Sequence, residues 1–236
     1  MRLAVIPARG GSKRIARKNI KPFLGAPIIQ YAINAAIASK LFDSVVCSTD
    51  DAEIAQVAKE AGAQVPFIRP AELSDDHAIT ADVIAHAIDF FQSNDTDISA
   101  ACCLYATAAF VTSQQLQASF ALFQQQSCDF VFAATAFDFP IQRAIYLTPE
   151  GRVEMFYPEY ALTRSQDLTP AFHDAGQFYW GTSSAWLEKR RIFSPQSAAY
   201  ILPSHEVQDI DTLDDWRRAE LLYQLRQQAT CIASSE

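Results

Sequence analysis

Short apolar runs alternate with segments of helical periodicity along the first half of the chain. The apolar runs predict buried strands at residues 3–7, 44–48, 65–68, 100–105 and 130–134. The periodic segments predict helices at residues 27–37, 51–61, 80–92 and 113–125. Continuously apolar strands separated by helices are typical of parallel sheets that are covered on both faces. The pattern therefore predicts an α/β fold with a doubly wound, mostly parallel, Rossmann-like sheet.

This alternation stops at residue 137. The segment 137–180 is rich in Phe, Tyr and Pro and lacks long periodic stretches, so we predict a small insertion there. It would form an antiparallel flap that covers a site or pairs with a second subunit. Helical periodicity returns at 181–188 and 212–228, with a strand predicted at 199–202 and a frayed tail at 229–236. Residues 1–236 suit one domain with a sizeable core, because half of them are hydrophobic.

The loop after the first predicted strand combines glycines with a cluster of cations. Its positive side chains are Arg9, Lys13, Arg14, Arg17, Lys18 and Lys21. Gly10 and Gly11 have no Cβ, so the backbone can bend sharply and bring its N–H groups close to a ligand. The spacing fits neither the P-loop nor the dinucleotide-binding fingerprint. Because ligands of parallel sheets bind at the carboxyl ends of the strands, the loop predicts a site for an anion such as a nucleoside triphosphate.

Two carboxylates, Asp209 and Asp211, stand just before the last predicted helix. Side chains two positions apart on an extended segment point the same way, so these two would repel each other. Mg²⁺ prefers oxygen ligands and commonly takes one or two carboxylates together with phosphate oxygens. The pair therefore predicts a site for Mg²⁺ or Mn²⁺ beside the triphosphate, and a helix cap or a surface acid pair is the alternative.

Composition narrows the choice of partners and compartment. The chain has 19 Lys and Arg against 27 Asp and Glu, which argues against a general nucleic-acid binder. Its five cysteines include no C-x-x-C pair, which favours reduced thiols over a disulfide framework. No apolar run approaches the length of a membrane span, and the first apolar run suits a core strand better than a secretion signal. These features predict a cytoplasmic protein.

The motifs resemble those of the sugar-acid cytidylyltransferases, the enzymes that make CMP-sialic acid and its relatives. Residues 8–19, A-R-G-G-S-K-R-I-A-R-K-N, are similar to the family pattern A-R-G-G-S-K-G-[IL]-P-x-K-N. Arg14 replaces the third glycine, and Ala16 replaces a proline that would stiffen the loop. The D-I-D segment at 209–211 matches the metal site of the family. The resemblance implies that CTP is held by Arg9, Gly10, Gly11, Ser12, Lys13, Lys18 and Asn19.

Two further segments carry the resemblance. R-P-A-E-L-S-D-D at 69–76 matches the family's R-P-x-x-L-[AS]-x-D, which implies that Arg69 contacts the nucleotide; a surface pair with Glu72 is the alternative. The roles of Asp76 and His77 stay open. L-Y-A-T-A-A-F at 104–110 aligns with L-Q-P-T-S-P-[LF], so Tyr105 stands where sialic acid enzymes have a glutamine that contacts the sugar. A strand-end core aromatic is the alternative for Tyr105.

The segments at 163–168 and 173–181 extend the resemblance towards the sugar. T-R-S-Q-D-L is similar to T-R-x-Q-D-L-P, and H-D-A-G-Q-F-Y-W-G resembles the signature of the pseudaminic acid branch. The resemblance implies that Arg164 pairs with the sugar carboxylate, and that Gln166, His173 and Gln177 recognise its hydroxyl and amide groups. It also implies a homodimer whose insertion reaches towards the partner's site.

The predicted reaction is transfer of CMP from CTP to the anomeric hydroxyl of pseudaminic acid, a nonulosonic acid, with release of pyrophosphate. Arg9, Lys18, Asp209 and Asp211 would carry the chemistry through positioning and charge stabilisation. Three alternatives stay open. The same reaction could act on sialic, legionaminic or another 2-keto sugar acid; the chain could be a non-catalytic nucleotide-binding homologue; or it could use UTP or GTP.

Overall fold

A computed structural model describes residues 1–75 and 78–233 of the chain. The strands are β1 (Arg2–Pro7), β2 (Pro22–Phe23), β3 (Ala26–Pro27), β4 (Ser44–Ser48), β5 (Ala100–Leu104), β6 (Phe130–Ala136), β7 (Ile145–Leu147), β8 (Val153–Met155), β9 (Phe172–Thr182) and β10 (Ser197–Leu202). The helices are α1 (Ile28–Ser39), α2 (Ala52–Glu60), α3 (Thr80–Gln92), α4 (Ser113–Gln126), α5 (Ser183–Leu187) and α6 (Leu213–Ala233). Single 3₁₀ turns lie between several of these elements.

Six strands form one central sheet in the order β10-β6-β9-β5-β1-β4. β1 pairs in parallel with β4 and β5, and β10 pairs in parallel with β6. β9 runs antiparallel between β5 and β6 and joins the two parallel halves. The prediction of an α/β fold with a mostly parallel sheet is confirmed.

Successive residues of β1 supply two separate cores, because neighbouring side chains of a strand point to opposite faces. Ala4 and Ile6 pack in a core with α1, α2 and α4. Leu3 and Val5 pack in a second core with α3 and α5. All four side chains are fully buried. Helices therefore cover both faces of the sheet, which explains why its strands are continuously apolar rather than alternating.

The strand predicted at 65–68 is wrong. In this region Gln64 alone forms an isolated bridge, to Val46 of β4. Pro66 has no backbone N–H, so it cannot donate to a ladder and the pairing does not continue past Gln64. The backbone N–H of Arg69 instead donates to the carbonyl oxygen of Thr49 at 2.8 Å, just past the end of β4.

Segment 137–180, predicted as one insertion, divides into two parts. Residues 137–171 lie outside the central sheet and contain the β7–β8 hairpin. Residues 172–182 form β9, which belongs to the sheet itself. The sequence pattern did not predict β9, because its first three residues are exposed and its first half carries His173, Asp174 and Gly176. The helix predicted at 181–188 consequently begins only at Ser183, with Thr182 as its N-cap.

The last helix, α6, extends further than predicted. It continues to Ala233, so most of the tail predicted as frayed has a helical backbone, and residues 234–236 lie outside the described part of the chain. Trp216 and Ala219 of α6 pack in a third core with Phe23 and Phe110. Among the helices of the described residues, none combines the length and apolar character needed to cross a membrane.

Candidate active site

A cleft of about 430 Å³ opens at the carboxyl ends of β1 and β5. The loop after β1 forms much of its wall, and the segment between α2 and α3, the start of α3 and residues 105–107 after β5 supply the rest. The residues predicted from sequence that line it are Arg9, Ser12, Lys13, Lys18, Asn19, Arg69 and Tyr105. Three motifs that are far apart in the sequence thus meet at one edge of the sheet, as parallel topology requires.

Gly10 lies where the loop presses against the start of α2. Its backbone N–H donates to Asp50 Oδ1 at 3.2 Å. A Cβ on Gly10 would lie 2.6 Å from Asp51 Oδ2, which is closer than van der Waals contact allows. Gly11 is different, because a Cβ there would meet nothing within 4 Å. Gly10 is therefore fixed by close packing, whereas Gly11 borders open space.

Lys18 and Asn19 connect the loop to two other parts of the chain. Lys18 Nζ donates to the carbonyl oxygen of Ile210 at 2.7 Å and lies 3.4 Å from Asp211 Oδ1. Asn19 is buried, and its Nδ2 donates to the carbonyl oxygen of Arg9 at 3.1 Å. Arg9 Nη1 in turn donates to the carbonyl oxygen of Asp75 at 2.8 Å. The cationic loop is thereby held at both ends beside the cleft.

The two predicted metal ligands lie at the rim, next to residues that line the cleft. Asp211 Oδ1 accepts a hydrogen bond from Arg14 Nη2 at 2.8 Å, in addition to its contact with Lys18. Desolvation by surrounding protein, followed by the negative charge of Asp211, raises the pKa of Asp209. A divalent cation bound beside this pair would relieve the repulsion that Asp211 exerts on the ionised form of Asp209.

Residues 1–75 and 78–233 contain no group of three or more His, Cys, Asp or Glu side chains arranged to hold a metal ion. A closed site built from protein ligands alone is therefore not formed in this part of the chain. Mg²⁺ commonly keeps only one or two carboxylates and completes its shell with phosphate and water. The pair at the rim fits that sparse mode of binding.

Arg69 is buried at the floor of the cleft, with 4% of its surface exposed. Its guanidinium donates to the carbonyl oxygens of Ala8 at 2.9 Å and Ser48 at 3.1 Å, and to Ser74 Oγ at 3.1 Å. Asp50 lies 3.8 Å away as its ion-pair partner, and burial lowers the pKa of Arg69. Arg69 therefore joins the ends of β1 and β4, and a contact with the nucleotide stays a prediction.

Tyr105 lines the cleft at the end of β5. Its backbone N–H donates to the carbonyl oxygen of Gln177 at 2.9 Å, and its hydroxyl lies 3.3 Å from Thr80 Oγ1. Its ring packs against Tyr179 with 5.4 Å between the centroids. The Tyr179 hydroxyl donates to Asp174 Oδ2 at 2.5 Å.

Sequence reasoning missed the residues that support Tyr105. Asp174 and Tyr179 both lie in the segment H-D-A-G-Q-F-Y-W-G, so the motif itself contained the signal. Thr80 gave no signal beyond its place at the start of a predicted helix. Tyr105 is thus a supported part of the cleft wall, although its function there stays a prediction.

The other predicted sugar residues are absent from the wall of this cleft within the described chain: Arg164, Gln166, His173 and Gln177. Arg164 is exposed and pairs with Asp167 Oδ2 at 2.9 Å. His173 is exposed and packs against the Phe137 ring. Gln177 is buried in β9, and its Nε2 donates to the carbonyl oxygen of Glu206 at 2.9 Å. Asp76 and His77, whose roles were left open, lie outside the described residues.

Comparison with known proteins agrees with this fold and cleft. The family profile described as Cytidylyltransferase matches residues 3–203, and the chain belongs to that family. It is accordingly a nucleotidyltransferase. A pseudaminic acid cytidylyltransferase of Campylobacter jejuni subsp. jejuni is 49% identical over 96% of this chain and 98% of its own length. The family resemblance predicted from the sequence is confirmed.

Two proteins of lower sequence identity are also similar to this chain. A CMP-N,N'-diacetyllegionaminic acid synthase of Legionella pneumophila is 31% identical over 96% of this chain and 98% of its own. The solved structure of a CMP:2-keto-3-deoxy-manno-octonic acid synthetase complexed with CTP has a TM-score of 0.70, with 13% identity over 95% of this chain and 99% of that one. At that identity the structural likeness shows the fold alone.

Proposed function

We propose that this protein transfers CMP from CTP to the anomeric hydroxyl of pseudaminic acid and releases pyrophosphate. The observation that carries the proposal is 49% identity to a pseudaminic acid cytidylyltransferase along almost the whole of both chains. The H-D-A-G-Q-F-Y-W-G segment at 173–181 supports the same sugar.

The charges around the cleft suit a nucleoside triphosphate. Arg9, Lys13 and Lys18 all line it, although the chain as a whole has a formal net charge of −8. In phosphoryl and nucleotidyl transfer the protein mainly positions the reactants and stabilises charge. We assign these cations to the triphosphate, and Ser12 and Asn19 to hydrogen bonds with it or with the cytidine.

Asp209 and Asp211 would hold the Mg²⁺ or Mn²⁺ ion. Bound there, the ion would supply charge neutralisation to the triphosphate and acidify the attacking hydroxyl. The contacts of Asp211 with Lys18 and Arg14 support this assignment, because they place the carboxylate next to the cationic loop.

A second candidate for the sugar substrate is legionaminic acid. The 31% identity to a legionaminic acid synthase spans 96% of this chain, so the same chemistry on legionaminic acid is the second candidate. Tyr105, which stands where the resemblance places a glutamine in sialic acid enzymes, and segment 173–181 are the features that favour pseudaminic acid over the other sugars.

We also propose a homodimer and a cytoplasmic location. Segment 137–171 exposes large apolar side chains, with Phe139 83% and Leu162 97% accessible, and such exposure is typical of a surface that meets a partner. Four cysteines are free thiols, as expected in a reducing compartment: Cys47, Cys102, Cys103 and Cys128.

The test is pyrophosphate release with CTP, Mg²⁺ and each of pseudaminic, legionaminic and N-acetylneuraminic acids. We expect release with pseudaminic acid and little with the other two. Release with only one of the others would retain the reaction and overturn the sugar assignment. CTP binding without release for any sugar would indicate a non-catalytic homologue, and release with UTP or GTP in place of CTP would overturn the nucleotide assignment.

A further inference from the structure

Arg17 belongs to the cationic loop but contacts a different part of the molecule from its neighbours. Its Nη1 donates to Asp51 Oδ2 at 2.5 Å and its Nη2 to Asp51 Oδ1 at 2.9 Å. Nη2 also donates to Glu53 Oε2 at 2.5 Å. We call these three residues the Arg17 clamp. Its two-pronged geometry is the strong form of an arginine–carboxylate pair, and it lowers the pKa of Asp51 to about 2.

The backbone conformation of Arg17 explains how neighbouring residues of the loop contact different parts of the molecule. Arg17 has φ 53° and ψ 32°, the left-handed conformation that a residue with a Cβ rarely adopts. This turn directs Arg17 to the start of α2, while the next residues, Lys18 and Asn19, line the cleft. A strained conformation of this kind persists only where the surrounding contacts fix it. The ion pairs of Arg17 are such contacts.

The Arg17 clamp also supports the glycine end of the loop. Asp51 Oδ1 accepts the backbone N–H of Ile54 at 2.9 Å and so caps α2, which fixes the carboxylate. The other oxygen of that carboxylate, Oδ2, lies against Gly10. One carboxylate therefore contacts the loop at Gly10 and again at Arg17. The residues between these points form neither helix nor strand.

We infer that Arg17 is a positioning residue for nucleotide binding, which rests on the proposed function. The Arg17 clamp holds the loop in the conformation that presents Lys18 and Asn19 to CTP. Ala16 replaces the loop proline of the resembling family, so this chain lacks one source of stiffness, and the clamp supplies it. A loop that is ordered before binding loses less entropy when the ligand arrives, which raises affinity.

Arg17→Ala tests the inference against a matched control, Arg190→Ala. Arg190 also bridges two carboxylates, Asp129 and Glu188, and its exposure is similar, at 41% against 37% for Arg17. It does not line the cleft. We expect Arg17→Ala to weaken CTP binding in calorimetry about tenfold, because the competent loop conformation becomes a minor population. Arg190→Ala should bind CTP like the unchanged protein.

Hydrogen exchange of the nucleotide-free protein supplies a readout that does not depend on activity. Amides of residues 10–16 should exchange faster in Arg17→Ala than in the unchanged protein, and those of β1 should not. Glu53→Gln, which keeps the shape and removes one charge, should give a smaller weakening of CTP binding. This milder variant also keeps the test open if Arg17→Ala folds poorly.

A proline supplies the sharpest check. Ala16→Pro in the Arg17→Ala background should restore part of the CTP affinity, because it stiffens the loop by a different route. Unchanged CTP affinity in Arg17→Ala, or no recovery in the double variant, would overturn the inference. Failure of the unchanged protein to bind CTP would instead overturn the proposed function, and hydrogen exchange would still report whether Arg17 orders the loop.

Discussion

Lys18 and Ile210, 192 positions apart in the chain, are joined by a hydrogen bond of 2.7 Å from the lysine ammonium group to the backbone carbonyl oxygen. Ile210 is fully buried and packs in the core formed with α6. The bond therefore connects the cationic loop to a buried part of the C-terminal region. It also places the Lys18 charge next to Asp211, so the predicted triphosphate and metal sites adjoin each other.

Replacing Lys18 by methionine should reduce kcat/KM for CTP by about 10² or more, because a fixed charge that stabilises the transferring group contributes on that scale. Steady-state pyrophosphate release measures it. Lys59→Met is the control, since Lys59 is an exposed cation of α2 away from the cleft. A Lys18→Met enzyme with full activity would show that Lys18 only supports the fold.

Asp209→Asn and Asp211→Asn should each raise the Mg²⁺ concentration needed for half-maximal rate and lower the maximal rate by about 100-fold. The measurement is initial rate against Mg²⁺ concentration at saturating CTP. Asp214→Asn is the matched control, because Asp214 is an exposed neighbour that pairs with Arg217. Equal Mg²⁺ dependence in all three variants would contradict the metal assignment.

Tyr105→Phe removes one hydroxyl and keeps the ring. We expect the KM for the sugar to rise about fivefold, the effect of losing roughly 1 kcal/mol of hydrogen bonding, while CTP affinity is unchanged. Tyr31→Phe is a control, because the Tyr31 hydroxyl donates to the carbonyl oxygen of Phe23 in a core outside the cleft. A change in CTP affinity with no change for the sugar would place Tyr105 in the nucleotide half instead.

Low pH should reduce the free energy of unfolding of the protein, in part because Asp51 becomes protonated. The hydrogen bond from Arg17 holds the folded-state pKa of Asp51 at about 2, below its ordinary value. Its stabilising contribution is therefore present above pH 4 and is lost as the pH falls towards 2. A shift of this size corresponds to about 2 kcal/mol, which solvent screening reduces to about 1 kcal/mol.

Urea unfolding between pH 6 and pH 2 isolates that contribution by comparing the unchanged protein with Asp51→Asn. The carboxylates remote from Asp51 are common to both proteins, so the difference in unfolding free energy should shrink below pH 4. Asparagine still caps a helix, which keeps α2 comparable in the two proteins. A difference that is constant over the whole range would refute the ion pair as its source.

Charges placed in segment 137–171 should abolish dimer formation. Leu162→Glu and Phe139→Glu would each place a carboxylate in the exposed apolar surface, and burying an unpaired charge opposes association. Light scattering after gel filtration should report a dimer for the unchanged protein and a monomer for either variant. Leu225→Glu, at a leucine of α6 that is 61% exposed, should leave the dimer intact. A monomeric unchanged protein would refute the homodimer.

Local patterns of apolar and polar residues were sufficient to predict most helices and strands of this fold. The helix predicted at 80–92 coincides with α3, and the strand predicted at 44–48 coincides with β4. Both lie where the period of the apolar residues is unambiguous and where the side chains on the chosen face are buried. Pro66 shows the limit, since an apolar run there lacks the backbone donor that a ladder requires.

The contacts that individual side chains make in the site could not be predicted from the local sequence pattern. From the sequence, Arg69 was expected to contact the nucleotide or to pair with Glu72 at the surface. The structure shows that it donates to the carbonyl oxygens of Ala8 and Ser48 and holds two strand ends together. Arg17 looked like one more charge for the triphosphate, but its backbone turn directs it to Asp51. In each case the partner lies on another element, so the sequence around the residue contains no sign of it.

The sequence by itself determined the α/β class, the family and the chemistry available at the ends of β1 and before α6, because these depend on residue type, period and short spacings. Only the tertiary structure decided that β9 enters the sheet antiparallel, that Lys18 meets Ile210, and which cations face the cleft. Those outcomes depend on contacts between residues distant in the chain. Such contacts form only when the cores on both faces of the sheet are packed.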